Sequence, residues 1–349
     1  MFDLQKLVRK NIRQVTAYSS ARDEFNSAAR IFLDANENAY GAPIEGDYHR
    51  YPDPVQKHFK VRLAEMKGLH QKQIFAGNGS DESIDLLFRA FCRPGVDNVM
   101  ILPPTYGMYA VSAGINDVDV RAVPLNPDFS LDPERVLEGV SESTKMIFIC
   151  SPNNPTGNII EQEAIEQIAA GFTGLVVVDE AYIDFARTES LTTRLKEFPN
   201  LVVLQTLSKA WGLAGLRMGM ACASPEIIAI LNKIKPPYNV STITQKLALQ
   251  ALDNVQCKNE NVERLIQERQ RISEQLRSFS GIDKVYPSQA NFILFKVKNA
   301  MKIYQYLLEQ GIVVRDRSSM AGCEDCLRLT VGTTRENDVV LHALKEKLS

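Results

Sequence analysis

Four short runs of β-branched and other apolar residues alternate with helical patterns in the first two thirds of the chain. They are residues 99–102, 146–149, 175–178 and 201–204. Their apolar character is nearly continuous, which is typical of strands buried on both faces. Alternation of such strands with amphipathic helices favours a mostly parallel sheet covered by helices. The sequence therefore predicts an α/β fold.

After Lys235-Pro236-Pro237 the pattern changes to a long helical stretch rich in Glu, Arg and Gln. Strand-like runs at 291–295, 312–315 and 327–331, with a helical pattern at 300–308, then predict a smaller α+β unit. A chain of 349 residues is long enough for two domains. We expect an N-terminal arm over residues 1–28, a large domain over 29–240 and a small C-terminal domain over 241–349.

The charges are balanced, with 40 basic and 42 acidic residues and a net charge of −2. This balance gives no positive field of the kind that binds nucleic acid or an anionic membrane. No run approaches the roughly 20 apolar residues needed to cross a bilayer. Residues 1–10 also lack the apolar core of a secretory signal. We therefore expect a soluble, cytoplasmic protein.

Six cysteines lie mostly far apart, as unpaired thiols of a reducing compartment do. Cys323 and Cys326 have the spacing of a redox motif or of half a zinc site. No second pair and no matching histidine pattern accompanies them. We interpret both as incidental thiols and expect no metal site.

Lys209 lies among small residues in the stretch that follows the run at 201–204. Open α/β sheets bind ligands at the carboxyl ends of their strands, where a lysine can act as a nucleophile. Thr206, Ser208 and Arg217 supply donors for a phosphate, so this stretch could hold a phosphorylated aldehyde. A surface lysine, and an ordinary ion pair of Arg217, are the alternatives.

Asp179 follows the run at 175–178 and is itself followed by Tyr182. A carboxylate here can keep a pyridine nitrogen protonated, so that the ring accepts electrons from a substrate carbanion. Asp179 could equally cap a helix. Asn154 lies in the turn-forming stretch 151–157, and its amide could bond to a ring hydroxyl, although an Asn-Pro pair is also a common loop element.

Gly77 and Gly79 lead into an amphipathic helical pattern that starts with Ser80 and Asp81. The free N–H groups of a helix N-terminus suit a phosphate, but Ser80 or Asp81 could simply cap the helix. Tyr106 follows the run at 99–102 and could stack on a planar cofactor or belong to the core.

Two arginines, Arg315 and Arg328, lie among apolar residues near the end of the chain. Burial of a guanidinium requires an anion, which could be a ligand or a carboxylate of the protein itself. These arginines are therefore candidates for binding the charged end of a substrate.

Residues 154–157, 179–182, 208–209 and Arg217 together resemble, in order and spacing, the signature of fold-type I aminotransferases, which use pyridoxal 5'-phosphate. Residues 51–54, 104–109, 206–217 and 327–333 are similar to the histidinol-phosphate aminotransferases within that family. The resemblance covers nearly the whole chain. It implies the fold-type I architecture, with a large cofactor-binding domain and a smaller α+β domain.

The resemblance also implies a role for each matching residue. Lys209 would form a Schiff base with the cofactor and carry the proton, Asp179 would pair with the ring nitrogen, Asn154 and Tyr182 would hold the ring oxygen, and Tyr106 would stack on the ring. The phosphate would be surrounded by Ser80, Asp81, Thr206, Ser208 and Arg217, with Tyr51 reaching in from the second subunit of a homodimer. Arg328 would bind the anionic end of the substrate, and further substrate candidates are Arg315, Tyr18, Tyr238, Asn291 and Asn154.

The implied reaction is a ping-pong transfer of nitrogen from L-histidinol phosphate to 2-oxoglutarate, which gives imidazole acetol phosphate and L-glutamate in histidine biosynthesis. Aromatic amino-acid aminotransferases and threonine-phosphate decarboxylases share the scaffold and remain alternatives. A non-catalytic ligand sensor would need an added basic DNA-binding module, for which the chain has neither room nor charge. A dehydrogenase is disfavoured, because no Gly-x-Gly-x-x-Gly opens a helix after a strand.

Overall fold

The computed structural model describes residues 2–18 and 31–348, so residues 1 and 19–28 of the predicted arm lie outside it. The described part of the arm contains helices α1 (Leu4–Leu7) and α2 (Lys10–Gln14). Val8 is buried between them in the core beside the larger sheet, and the Arg9 N–H donates to the Ala90 carbonyl at 3.0 Å. The arm is therefore anchored on the large unit. Within the described ranges, no helix is long and apolar enough to cross a membrane.

A seven-stranded sheet with the order β1-β7-β6-β5-β4-β2-β3 forms the larger unit. Its strands are β1 (Ile74–Asn78), β2 (Asn98–Ile101), β3 (Asp119–Ala122), β4 (Thr144–Cys150), β5 (Leu175–Asp179), β6 (Leu201–Thr206) and β7 (Met218–Ala223). Strands β3, β2, β4, β5 and β6 are parallel, whereas β7 is antiparallel to both of its neighbours. The prediction of an α/β fold with a mostly parallel sheet is confirmed, and each of the four predicted runs overlaps a strand.

Helices cover both faces of this sheet. They are α3 (Lys57–Lys67), α4 (Gly79–Phe91), α5 (Met108–Ile115), α6 (Pro133–Glu138), α7 (Gln162–Gly171) and α8 (Pro225–Ile234). Successive residues of one strand enter different cores, so that Val176 and Val178 lie in one cluster and Val177 in the other. The runs are continuously apolar because neither face of the strands meets water.

Helices α9 (Thr242–Leu252) and α10 (Val255–Arg277) lead into a four-stranded antiparallel sheet with the order β10-β11-β9-β8. Its strands are β8 (Ile282–Val285), β9 (Phe292–Val297), β10 (Arg315–Asp316) and β11 (Cys326–Thr330), and it packs against α10, α11 (Ala300–Glu309) and α12 (Thr334–Leu348). This is the predicted smaller α+β unit. The domain boundaries at residues 28 and 240 stay a prediction.

The predicted strand at 312–315 is wrong over most of its length, because only Arg315 and Asp316 pair with β11. The chain leaves α11 through Gly311, whose φ is +73°. The Ile312 N–H then donates to the Leu307 carbonyl at 2.8 Å. This six-to-one bond closes the helix in a Schellman motif. The apolar character of Ile312 thus belongs to a helix end and imitates a strand in the sequence.

The carboxyl ends of three neighbouring strands meet at one edge of the large sheet. Cys150 at the end of β4 is in register with Asp179 at the end of β5, and Thr206 ends β6. On the far side of β7, strand β1 ends at Asn78 and runs directly into α4. The functional candidates that follow these strands are therefore brought to a common edge.

Candidate active site

One pocket lies at this edge of the large sheet. Every predicted cofactor-binding residue except Tyr51 lines it. The lining consists of Gly79, Ser80, Asp81, Tyr106, Cys150, Asn154, Asp179, Ala181, Tyr182, Thr206, Ser208, Lys209 and Arg217. Side chains from five segments of the sequence thus converge on one space, as the motifs predict.

Lys209 leaves β6 in a short turn, in which the Gly212 N–H donates to the Lys209 carbonyl at 3.0 Å. Its side chain opens onto the pocket, with Nζ 5.6 Å from the centre of the Tyr182 ring. Partial burial, followed by the positive charge of Arg328, lowers the pKa of Lys209, while Asp179 acts in the opposite direction. A lowered pKa increases the fraction of neutral amine, which is the nucleophilic and basic form.

Asp179 is buried at the end of β5 and accepts two hydrogen bonds. Tyr109 Oη donates to Oδ2 at 2.8 Å, and the Ala181 N–H donates to Oδ1 at 3.0 Å. Burial raises the pKa of Asp179 to about 6, although both hydrogen bonds favour the ionised form. Asp179 does not cap a helix, because the Ala181 N–H that donates to its side chain belongs to the turn after β5. A buried carboxylate of this kind is suited to pairing with a cationic ligand group.

Asn154 and Tyr182 form a hydrogen-bonded pair beside Lys209, with Asn154 Nδ2 donating to Tyr182 Oη at 3.5 Å. Burial raises the pKa of Tyr182 above its usual value, and Arg328 opposes this rise. The phenol is therefore protonated at neutral pH and can donate as well as accept.

Arg328 connects the small sheet to this pair. Its Nη1 donates a short hydrogen bond to Asn154 Oδ1. Its guanidinium lies 5.0 Å from the centre of the Phe292 ring, and that ring meets Tyr182 edge to face at 5.1 Å. A cation from the small unit is thereby placed at the border of the pocket.

The opposite end of the pocket is formed by the start of α4. Asn78 precedes the helix without a side-chain cap, so Ser80 and Asp81 lie in the first turn and do not cap it. Arg217 approaches this turn, with Nη2 3.6 Å from Asp81 Oδ2 and Nη1 3.5 Å from Ser208 Oγ. First-turn N–H groups without intrahelical partners, a hydroxyl and a guanidinium are the donors that anions bind.

Gly219 on β7 allows the close approach of that strand to the start of α4. A Cβ at this position would overlap the carbonyl carbon of Gly79 and the nitrogen of Ser80. The Gly79 N–H also donates to the Arg217 carbonyl at 2.6 Å. The anion-binding end therefore depends on backbone packing that the sequence motifs did not reveal, and a glycine within a strand was the only signal.

Tyr109 is a second residue to which the sequence assigned no role. It lies three positions after Tyr106, and the two rings meet edge to face at 5.5 Å. Tyr106 borders the pocket and donates to Asp81 Oδ1 at 3.3 Å, whereas Tyr109 is buried beneath it and bonds to Asp179. The spacing of three at the start of a helix was the signal that both rings face the same side.

The remaining candidates do not line the Lys209 pocket. Tyr51 is half exposed and stacks on Tyr238 at 4.5 Å, and both rings line a separate hollow that includes Asn78 and Asn239. Tyr18 is exposed, and Asn291 accepts a backbone bond from Val331 at 2.9 Å. Arg315 is exposed and lies in register with Arg328. Within one chain, these residues therefore lie outside the lining of the Lys209 pocket.

The Cys323-Cys326 pair is buried, and both thiols are free. Burial raises the pKa of Cys323 to about 12 and that of Cys326 to about 11, so both are thiols at neutral pH. Among residues 2–18 and 31–348, no group of three or more His, Cys, Asp or Glu side chains is arranged to hold a metal ion.

Residues 21–344 match the family model for aminotransferases of class I and II. The chain belongs to the class I and II aminotransferase family. Two relatives of this aminotransferase, from Cytophaga hutchinsonii and Parabacteroides distasonis, are each 52% identical to it, and each alignment covers 99% of both chains. Both relatives carry the name histidinol-phosphate aminotransferase.

Solved structures of aminotransferases share this fold. The histidinol-phosphate aminotransferase of Sinorhizobium meliloti in complex with pyridoxal-5'-phosphate has a TM-score of 0.81 and 26% identity, with 90% of this chain and 89% of that chain covered. The L-threonine-O-3-phosphate decarboxylase of Porphyromonas gingivalis has a TM-score of 0.73 at 22% identity, over 85% and 93% of the two chains. That second likeness concerns the fold alone. The expected fold-type I architecture is confirmed.

Proposed function

We propose that this aminotransferase transfers the amino group of L-histidinol phosphate to 2-oxoglutarate, which gives imidazole acetol phosphate and L-glutamate. The observation that carries the proposal is the hydrogen bond from Arg328 to Asn154, because it places an anion-binding guanidinium beside the Lys209 pocket. The names of the two relatives that are 52% identical over nearly the full chain support the same substrate. This step belongs to histidine biosynthesis.

Pyridoxal 5'-phosphate fits the residues that line the pocket. The first turn of α4, Ser208 and Arg217 would bind its phosphate, with Thr206 behind them. Asp179 would pair with the ring nitrogen, and such a cationic partner would offset the burial that raises its pKa to about 6. Asn154 and Tyr182 would hold the ring oxygen, and Tyr106 would cover one face of the ring. When bound, the cofactor supplies an aldehyde carbon and an electron-accepting ring.

Lys209 Nζ would act first as the nucleophile that anchors the cofactor and then as the base that moves a proton at the substrate carbon. Its lowered pKa favours the neutral amine that both tasks require. Asp179 would keep the ring nitrogen protonated through both halves of the reaction. Arg328 would bind the anionic end of either substrate, since one guanidinium fork suits both phosphate and carboxylate. Use of one site by two substrates in turn gives ping-pong kinetics.

We propose a homodimer in which Tyr51 completes the phosphate end of the partner subunit's pocket. The support is exposure: Tyr51 does not line the Lys209 pocket of its own chain, and its segment displays several uncovered apolar side chains, namely Tyr40, Ile44, Tyr48 and Val55. A solution mass of twice the chain mass of 39.1 kDa, measured by light scattering, is expected. We also propose a cytoplasmic location, which the six free cysteines support.

The decisive experiment mixes the purified, cofactor-loaded protein with L-histidinol phosphate and, separately, with phenylalanine or threonine phosphate. The absorption band of the bound cofactor should change rapidly with histidinol phosphate, and added 2-oxoglutarate should restore it while glutamate forms. A rapid response to phenylalanine alone would show an aromatic aminotransferase. Release of carbon dioxide from threonine phosphate would show a decarboxylase.

A further inference from the structure

Three arginines lie on one face of the β10–β11 ladder. Arg315 is directly opposite Arg328, and Arg317 lies two residues beyond Arg315, where its N–H donates to the Cys326 carbonyl at 2.9 Å. Alternate residues of an extended strand face the same side. Arg317 is therefore on the face of Arg315 and Arg328 and diagonal to Arg328, a separation that long side chains span.

This face of the small sheet is turned toward the large unit. Cys326, which shares the face with Arg328, packs with Phe129, whereas Leu327 and Leu329 on the other face belong to the core of the small unit. Arg328 itself reaches Asn154. Arg317 interacts electrostatically with both Arg328 and Tyr182. It therefore lies near the proposed substrate end of the pocket.

The three positive charges are not balanced locally. Among the residues that the structure describes, no Asp or Glu forms an ion pair with Arg315, Arg317 or Arg328. Asp316 follows Arg315 in the chain, but it belongs to the opposite face and accepts hydrogen bonds from Ser318. Its negative charge acts on Arg317 without forming an ion pair with it, and the pKa of Arg317 is still lowered. Like charges on facing strands destabilise the pair, so their retention on one face calls for an external anion.

Two of these guanidinium groups also carry donors without acceptors. The Nε atoms of Arg317 and Arg328 are both buried and have no hydrogen-bond partner. Burial lowers the pKa of Arg317, and the neighbouring charge of Arg315 lowers it further. An unsatisfied buried donor is costly, and an anion bound on this face would relieve both the charge and the missing hydrogen bonds.

We propose that Arg317 is a specificity-determining residue, which joins Arg315 and Arg328 in binding a phosphate monoester dianion. The inference rests on the proposed function, since it concerns the same substrate end. A phosphate monoester carries nearly two negative charges and three terminal oxygens, and it can engage several guanidinium groups at once. A carboxylate of glutamate needs only the single fork of Arg328. Arg317 thus favours the phosphorylated amine over donors that carry only a carboxylate at that end.

The test compares R317Q and R317K with R335Q, a matched control that removes an exposed arginine from the first turn of α12. Each cofactor-loaded protein is reacted separately with L-histidinol phosphate and with L-glutamate, and kcat/KM is measured for both donors. Inorganic phosphate is used as a competitive probe of the anion site. Thermal unfolding of each variant shows whether it is folded.

R317Q should lower kcat/KM for histidinol phosphate by about tenfold to a hundredfold, the range expected when one or two charge-assisted hydrogen bonds are lost. The value for glutamate should change by less than about threefold, the limit set by loss of a remote charge alone. Inhibition by phosphate should weaken in R317Q and partly recover in R317K, whereas R335Q should match the wild type.

An equal loss for both donors, or unchanged inhibition by phosphate in R317Q, would overturn the role of Arg317. If R317Q does not fold, R317K becomes the deciding variant, because it keeps the positive charge but lacks the planar fork. Wild-type kcat/KM for both donors, together with wild-type inhibition by phosphate, in R317K would count against the inference. Failure of the wild-type protein to react with histidinol phosphate would instead reject the proposed function itself.

Discussion

Tyr109 Oη donates a 2.8 Å hydrogen bond to Asp179 Oδ2, and both side chains are buried. The Tyr109 ring is held in place by stacking on Phe148, with ring centres 4.8 Å apart. The bond fixes the direction of the carboxylate and stabilises its ionised form. Tyr109 is therefore expected to position Asp179 without itself touching the cofactor.

Replacement of Tyr109 by Phe should leave the ring packing intact and remove only this hydrogen bond. The pKa of Asp179 should then rise above its value of about 6, because one of the bonds that favour ionisation is lost. We expect the dissociation constant for pyridoxal 5'-phosphate, measured by equilibrium dialysis at pH 6, to increase by about tenfold. The increase should be smaller at pH 8, where Asp179 is ionised again.

The matched control is Y304F, which removes a phenolic hydroxyl on α11 away from the pocket. It should bind the cofactor like the wild type at both pH values. Unchanged affinity of Y109F at pH 6 would mean that Tyr109 serves packing only.

The burial of Asp179 also sets a pH dependence for the cofactor-free protein. Its folded pKa of about 6 lies above the ordinary value of 3.8, so the folded state holds the proton more tightly than the unfolded state. The free energy of unfolding should therefore fall as the pH rises from 3.8 to about 6, and the loss, about 3 kcal/mol, should be complete above that window.

Replacement of Asp179 by Asn removes this titration. Denaturant unfolding of the cofactor-free D179N and wild-type proteins at pH 4 and pH 7.5 tests it. Asn also weakens the bonds to Tyr109 and Ala181, but that loss does not depend on pH. The free energy of unfolding of D179N, relative to that of the wild type, should be higher at pH 7.5 than at pH 4. The same relative value at both pH values would refute the prediction.

Gly219→Ala should disturb the start of α4. The added methyl group has no room, because it would overlap the backbone of Gly79 and Ser80. Overpacking of this kind costs about 1–3 kcal/mol in the free energy of unfolding. We expect a lower Tm together with weaker binding of pyridoxal 5'-phosphate, measured by equilibrium dialysis on the cofactor-free protein.

Gly114→Ala is the control for this substitution. Gly114 lies in α5, and a Cβ there meets no atom within 4 Å. Since Ala is a better helix former than Gly, G114A should be as stable as the wild type or slightly more stable. Equal behaviour of G219A and G114A would contradict the backbone contact as the cause.

The shared active site of the proposed homodimer can be tested by complementation. K209A should lose more than about a thousandfold in turnover because it lacks the nucleophile and base, and Y51A should bind the cofactor weakly. When the two variants are mixed and allowed to exchange subunits, each mixed dimer contains one pocket with both native residues. The mixture should recover about one quarter of wild-type activity.

K196A, which removes an exposed lysine outside the pocket, should retain full turnover. A mixture of K209A and Y51A that is no more active than the sum of its parts would count against a contribution of Tyr51 across the subunit interface.

The sequence predicted the residues whose role depends on local position. Lys209 and Asp179 could be found because each lies at or shortly after the carboxyl end of an apolar strand, and strand ends in a parallel sheet share one edge. Tyr109 and Gly219 could not be assigned, since their partners lie 70 residues away for Asp179 and further still for Gly79. Such contacts are set by the packing of elements and leave no local pattern.

Two further residues show other limits of sequence interpretation. The apolar run that begins at Ile312 predicts a strand, because an apolar residue that closes a helix cannot be distinguished in the sequence from the first residue of a strand. Arg317 could not be assigned a role from the sequence, because its position relative to Arg328 depends on the register of β10 and β11. Register of antiparallel strands depends on turn geometry and on the buried face, neither of which is visible in a run of two residues.

The corner where Gly219 meets the start of α4 is made of main-chain atoms on both sides. Because the contact joins main chain to main chain, the identity of the surrounding side chains does not create it. Position 219, by contrast, must carry no side chain. The requirement at this corner is therefore the absence of a side chain, and a catalogue of reactive side chains would overlook it.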